Sequence, residues 1–171
     1  PWGYIEQFLF TPDNSLTEWG DQGDINIIAD YGAAAMFAIY LNDHFGGAAF
    51  MSALAANPDN GEEGVTSTLA ATGFTDWDFD KVYEAWTLAN LIHSDDFGDG
   101  WYNYSSIDLN DPQAGELTVH KIKPGMGFVT QSYGFQYTWT QDGYNTGTYL
   151  LGPYGTDYLK VYYAGPIRSA G

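Results

Sequence analysis

The sequence predicts an α+β protein with segregated halves: an N-terminal bundle of about four helices, then a smaller antiparallel β-rich part. Three observations carry that expectation. Every residue from Gly32 to Leu41 is apolar or glycine, and helical spacing governs the chain on to about residue 100. From residue 101 onward, short β-prone runs alternate with Gly, Pro, Asn and Asp. The charge also divides: residues 1–115 hold 19 Asp and Glu against Lys81 alone, whereas residues 116–171 hold three acids and four bases. The expected division is residues 1–100 for the helical part and 101–171 for an antiparallel sheet or the start of a sandwich.

In chain order, Tyr4–Phe10 is a short apolar segment ended by the turn chemistry of Pro12-Asp13-Asn14. Asp21 to Asp24 form a polar approach to the central run, Asp30 to Gly47. In that run Ala33, Ala34, Ala35 and Ala38 let neighbours approach closely, and Met36, Phe37, Ile39 and Leu41 supply bulk. The apolar run is too short to span a bilayer. A helix apolar all round is expected to be buried all round, with Asp30 as its N-cap and Gly46 as its left-handed end.

After Gly47, Ala48 to Ala56 predicts a short amphipathic helix with Ala49, Phe50, Ala53 and Leu54 on one face. Asn57-Pro58-Asp59-Asn60-Gly61 is a turn. A third helix spans about Glu62 to Thr72, its first-turn carboxylates favoured by the helix dipole, and ends at Gly73. Asp78 then caps a fourth helix whose stripe is Phe79, Val82, Tyr83, Trp86, Ala89 and Asn90. Beyond residue 101 the expected strands are Glu116–Ile122, Gly127–Ser132, Gly134–Thr140, Thr146–Leu151 and Asp157–Ala164, with Asp142-Gly143 as a hairpin turn. Phe135, Tyr137 and Trp139 fall on one strand face, which suits a core face, a carbohydrate-stacking surface or a subunit interface.

Composition narrows the function classes. The 171 residues suffice for a real core, and 14 Tyr, 10 Phe and 6 Trp argue against a disordered polymer. The absence of cysteine excludes disulfides, thiolate metal sites and a cysteine nucleophile. A net charge of −17 repels nucleic acid and anionic lipid, and suits a solvated surface in a salty exterior or cation binding. No segment reads as a membrane span or signal peptide, and the start at Pro1 leads us to expect an upstream part.

Several of these stretches carry a resemblance. Asp30-Tyr-Gly-Ala-Ala with Phe37 and Tyr40-Leu41, followed by Phe45-Gly-Gly, is similar to the helix after the zinc site in secreted metallopeptidases of the immune inhibitor A and hyicolysin type. Phe8-Leu9, Pro12-Asp13, Ser15-Leu16 and Trp19 match a segment of those enzymes in the same order. So do Phe79, Val82-Tyr83, Trp86 and Ala89-Asn90, then Gly100, Tyr102, Tyr104 and Ile107-Asp108-Leu109. Gly152-Pro-Tyr-Gly-Thr-Asp-Tyr-Leu159 resembles a strand-leading segment found after the catalytic domain in some of them.

The resemblance implies a zinc ion held by His-Glu-x-x-His and a downstream Glu. Here the histidines are His44, His93 and His120, with no two four residues apart, so the motif is absent. The zinc ligands are therefore expected outside this chain, which cannot hydrolyse a peptide alone. More distantly, the helix resembles one in aminopeptidase N-like enzymes, which implies Tyr31 as a donor to the oxyanion. A tyrosine packed at a buried helix start stays open beside it. Asp30 is either the N-cap or a carboxylate orienting a zinc ligand.

Asp95, Asp96 and Asp99 in a glycine-containing loop are candidate calcium ligands, set against a simply solvated loop, and Asp59, Glu62 and Glu63 are a weaker group. His44 is expected to be exposed at a helix C-terminus. No Gly-x-Ser-x-Gly elbow or phosphate-cradling loop is present. Two readings follow. The chain is a fragment of an extracellular prokaryotic zinc metallopeptidase, walling its cleft and partnered by a missing N-terminal half and a peptide or protein substrate. Alternatively, it is a non-catalytic filament or surface-layer module associating with neighbouring subunits.

Overall fold

In the computed structural model, residues 2–12, 14–20, 27–109, 125–128, 138–141, 144–145, 154 and 159–161 are described. Five helices account for most of them: α1 (Trp2–Phe10), α2 (Ile27–His44), α3 (Ala48–Ala56), α4 (Gly61–Ala71) and α5 (Phe79–Ile92). A single 3-10 turn follows at Gly98–Gly100. The chain divides into two compact units, Pro1–Lys123 with Leu151–Thr156, and Pro124–Leu150 with Asp157–Gly171.

The described residues of the first unit form helices joined by turns and loops, with no strand among them. The second carries four short strands, β1 (Gly125–Phe128), β2 (Thr138–Gln141), β3 (Tyr144–Asn145) and β4 (Leu159–Val161), in the order β3-β2-β1-β4. β1 pairs antiparallel with β2 but parallel with β4. The expected α+β class, with an antiparallel β-rich half or sandwich, is thus corrected: the described structure is helical, with strand only in fragments of two to four residues. Alternation marks a segment as able to extend, but ladder length and direction come from partners remote in sequence. Of the expected strands, Glu116–Ile122 and Thr146–Leu151 lie outside the described residues, as do parts of the other three. So do Asp142-Gly143, although Gln141 and Tyr144 on either side of it pair across β2 and β3.

The helix α1 stands where only a short apolar segment was expected. Its buried residues Ile5, Phe8 and Leu9 are spaced by three and four, the period of one helix face. That face lies on α2 at Gly32, where the two backbones approach so closely that a Cβ would stand 2.8 Å from the Cβ of Phe8 and run into the Tyr4 carbonyl. Phe8 also stacks on Trp86 of α5, with ring centroids 5.6 Å apart. Trp86 receives the edge of Phe37 from α2 at 5.4 Å, so one indole joins three helices. At its N-terminus α5 behaves as expected: the Asp78 carboxylate accepts the Lys81 N–H at 2.9 Å.

The central helix is less enclosed than its apolar sequence implies. Met36, Phe37, Tyr40 and Leu41 are buried, whereas Ala34, Ala35, Ala38 and Ile39 are half-buried. Four helices do not surround it on every side, and alanine leaves little apolar area to hide. Its end is as expected, since Gly46 has φ +103° and lets the chain turn into α3. Phe45, just before it, is buried among Phe50, Phe74, Trp77 and Trp101.

Two phenols are locked into this unit. Tyr40 is fully buried and donates to the Trp101 carbonyl at 2.8 Å, and burial pushes its pKa well above the ordinary 10.0. Tyr154 belongs to the segment that rejoins the first unit. It donates to Asp80 at 2.6 Å and Glu62 at 3.3 Å, and the Asp80 bond raises its pKa as well. A raised folded pKa means a contribution that is full below the unfolded value and lost as pH climbs through the folded one. Stability in urea should therefore fall above about pH 10, and Tyr40→Phe should flatten that fall. An absorbance titration should find these two phenols ionising last; uniform ionisation of all 14 tyrosines would refute this.

Candidate functional site

The N-terminal end of α2 carries the residues that the resemblance singles out. The helix starts at Ile27, so Asp30 lies in its first turn and is not the expected N-cap. Its side chain turns back to the preceding loop, where one carboxylate oxygen accepts the Gly20 N–H at 2.9 Å. Asp30 is only 4% exposed. The same loop is shaped by Ser15, whose hydroxyl accepts the N–H of Thr17 at 3.3 Å and of Glu18 at 2.9 Å. These bonds place Trp19 against Tyr31, with ring centroids 4.8 Å apart and nearly perpendicular.

Tyr31 itself is 53% exposed. Its ring touches Trp19 and, at 5.9 Å, Tyr4, yet its hydroxyl has no hydrogen-bond partner among the described residues. It is thus neither a core tyrosine nor a loose one. Tyr4, Trp19, Ile27, Ile28 and Tyr31 are all exposed large apolar side chains, and ring contacts link Tyr4, Trp19 and Tyr31 into one aromatic surface.

The other candidates separate. Asp95 accepts a bond from the Asn103 amide at 2.6 Å, the Asp96 N–H donates to Ser94, and Asp99 sits in the 3-10 turn with φ 52°. Among the described residues no three His, Asp or Glu stand together in a group that could hold a metal ion. Asp59 is occupied by the Ser67 hydroxyl at 3.1 Å, and Glu62 by Tyr154. His120 lies outside the described residues.

His44 differs from expectation: it is half-buried, its ring stacked on Trp101 at 5.1 Å. Its Nε2 is 2.8 Å from the Asn103 carbonyl, which can only accept, so that nitrogen carries the proton. His93 closes α5 in a left-handed conformation, and its Nε2 lies 3.0 Å from the Leu109 amide nitrogen and 3.2 Å from an Asp108 carboxylate oxygen. Both histidines tie the segment after α5 to the bundle.

Sequence reasoning missed a groove of about 250 Å³ beside α5, lined by Trp77, Lys81, Glu84, Leu88, Trp101 and Tyr102. Its one legible signal was Lys81, the sole Lys or Arg in residues 1–115. Compared with known proteins, the chain matches no family model, and no curated protein or solved structure is detectably similar to it.

Proposed function

We propose that this chain forms the helical wall of the active-site cleft in a secreted zinc metallopeptidase, with the zinc ligands supplied by another part of the parent protein. Among the described residues no group of His, Asp or Glu could hold a zinc ion. The observation that carries the reading is Tyr31. It stands at the start of a core helix, held by two aromatic rings, with no hydrogen-bond partner for its hydroxyl among the described residues. A phenol held at an edge and free at its tip is suited to donate a hydrogen bond to a developing oxyanion. Asp30 anchors the loop bearing Trp19 and so fixes Tyr31 indirectly.

The test uses the whole parent protein. Its peptide hydrolysis should be abolished by a zinc chelator, and Tyr31→Phe should lower kcat about tenfold or more with KM little changed. A parent without chelator-sensitive hydrolysis would sink the reading, and an unchanged kcat would return Tyr31 to a packing role. The same exposed aromatic surface favours one second reading, a non-catalytic extracellular assembly module. In that case Trp19→Lys should abolish a concentration-dependent association seen by sedimentation.

A further inference from the structure

From the groove beside α5 we infer a second ligand site, independent of the α2 terminus, that takes an uncharged sugar ring of a glycan. Three features of the groove lead there: it is preformed, it holds unused groups of both signs, and its walls are aromatic.

The wall after α5 is fixed at several points. Tyr40 donates to the Trp101 carbonyl at 2.8 Å, the Ser94 N–H to the Tyr102 carbonyl at 3.1 Å, and His44 to the Asn103 carbonyl at 2.8 Å. One oxygen of Asp43 also accepts the N–H groups of Ser105 and Ser106 at 2.9 and 3.0 Å. Gly98, at φ +60°, lies under the Tyr102 ring, and a Cβ there would come within 2.5 Å of it. Trp101 is backed by His44 and Trp77, the two indole centroids 4.2 Å apart. A ligand would therefore meet a wall that is already ordered.

Lys81 is the second feature. It is surrounded in sequence by 19 acids, yet makes no ion pair among the described residues. Its ammonium donates to the Asp76 carbonyl at 2.6 Å, which leaves two of its three protons for another acceptor. Glu84 lies three residues further along α5, on the same helix face, and is exposed without a partner among the described residues. The rim thus offers an unused donor and an unused acceptor above Trp77, Leu88, Trp101 and Tyr102.

Those groups select a ligand class by elimination. A purely apolar molecule would desolvate Lys81 and Glu84 without replacing their hydrogen bonds. An anion would face the field of a strongly acidic unit, and a cation would meet Lys81 at the rim of the groove. A pyranose has an apolar C–H face for the aromatic side chains, and hydroxyls that both donate and accept. The groove is the size of one such ring, and Lys81, Glu84 and Gly98 leave one side open to solvent for the rest of a chain.

The experiment titrates this chain with cellohexaose, chitohexaose, maltohexaose and mannohexaose, followed by tryptophan fluorescence and calorimetry. At least one should give a saturable change with a Kd of about 1 mM. Raising the salt concentration should leave that Kd nearly unchanged, because the ligand is neutral. Lys81→Met and Glu84→Gln should each weaken binding about fivefold or more, with the near-ultraviolet circular dichroism unaltered. Absence of a saturable change with all four sugars overturns the inference, as does binding that neither substitution alters. Neither result bears on hydrolysis by the parent protein.

Discussion

Gly32→Ala will destabilise the helical unit by roughly 3 kcal/mol or more, although alanine is the better helix former by about 1 kcal/mol. The two effects have opposite signs, and the packing decides between them. At this crossing the added methyl meets the Tyr4 carbonyl and, at 2.8 Å, the Phe8 Cβ, neither of which is the far end of a flexible side chain. Relief requires the whole of α1 to move, which would pull Phe8 off Trp86 and Ile5 and Leu9 out of the core. Gly3→Ala is the internal control. It lies in α1 with nothing within 4 Å of its added methyl, so it should stabilise by a few tenths to about 1 kcal/mol. Urea denaturation of both variants checks the pair, and equal effects would show that α1 does not rest on Gly32.

Phe45→Ala is the second large effect, at about 3–5 kcal/mol. Phe45 is 1% exposed and touches four other aromatic rings, Phe50, Phe74, Trp77 and Trp101, at 5.1 to 5.8 Å. Its removal leaves a cavity bounded by flat, rigid groups that cannot collapse into it easily. Because two of those rings also line the groove beside α5, the near-ultraviolet circular dichroism should change along with the unfolding midpoint. A loss below about 1 kcal/mol would mean that the rings repack around the missing one.

Both predictions concern residues whose importance the sequence half revealed. Gly32 sits in a run of small residues, which predicted close approach of neighbours but not which neighbour. Phe45 was visible only as the residue before a Gly-Gly end. Of the stripe Phe79, Val82, Tyr83, Trp86, Ala89 and Asn90, all are buried as expected except Tyr83, which is half-buried. α1 had the same spacing in Ile5, Phe8 and Leu9, but a nine-residue helix holds too few turns to stand out from a short apolar run. The N-cap assigned to Asp30 failed for a comparable reason. A buried carboxylate beside a helix start satisfies a backbone N–H either in its own helix or in another segment, and here it takes Gly20.

The candidate site was legible in part. Tyr31 was chosen through a resemblance, while its exposure and its clasp by Trp19 and Tyr4 are properties of the packed loop and of α1. Asp95, Asp96 and Asp99 were grouped by nearness in sequence, and the turn at Gly98–Gly100 does not bring them together as a metal site. The groove was not legible, because its rim comes from α5 and its wall from a loop some twenty residues later.

By itself the sequence determined what depends on neighbours within a turn or two: the helical period of α2 to α5, the Asp78 cap, the left-handed Gly46, and the lack of a His-Glu-x-x-His motif. Only the tertiary structure decided what depends on distant partners. It set the helical class over the expected α+β one, the α1–α2 crossing at Gly32, the exposure of Tyr31 and the aromatic groove. The bond from Tyr40 to the Trp101 carbonyl spans 61 residues, and Asp43 reaches Ser106 across 63. Local pattern states what a residue can do; burial and long-range hydrogen bonding select which of those things it does.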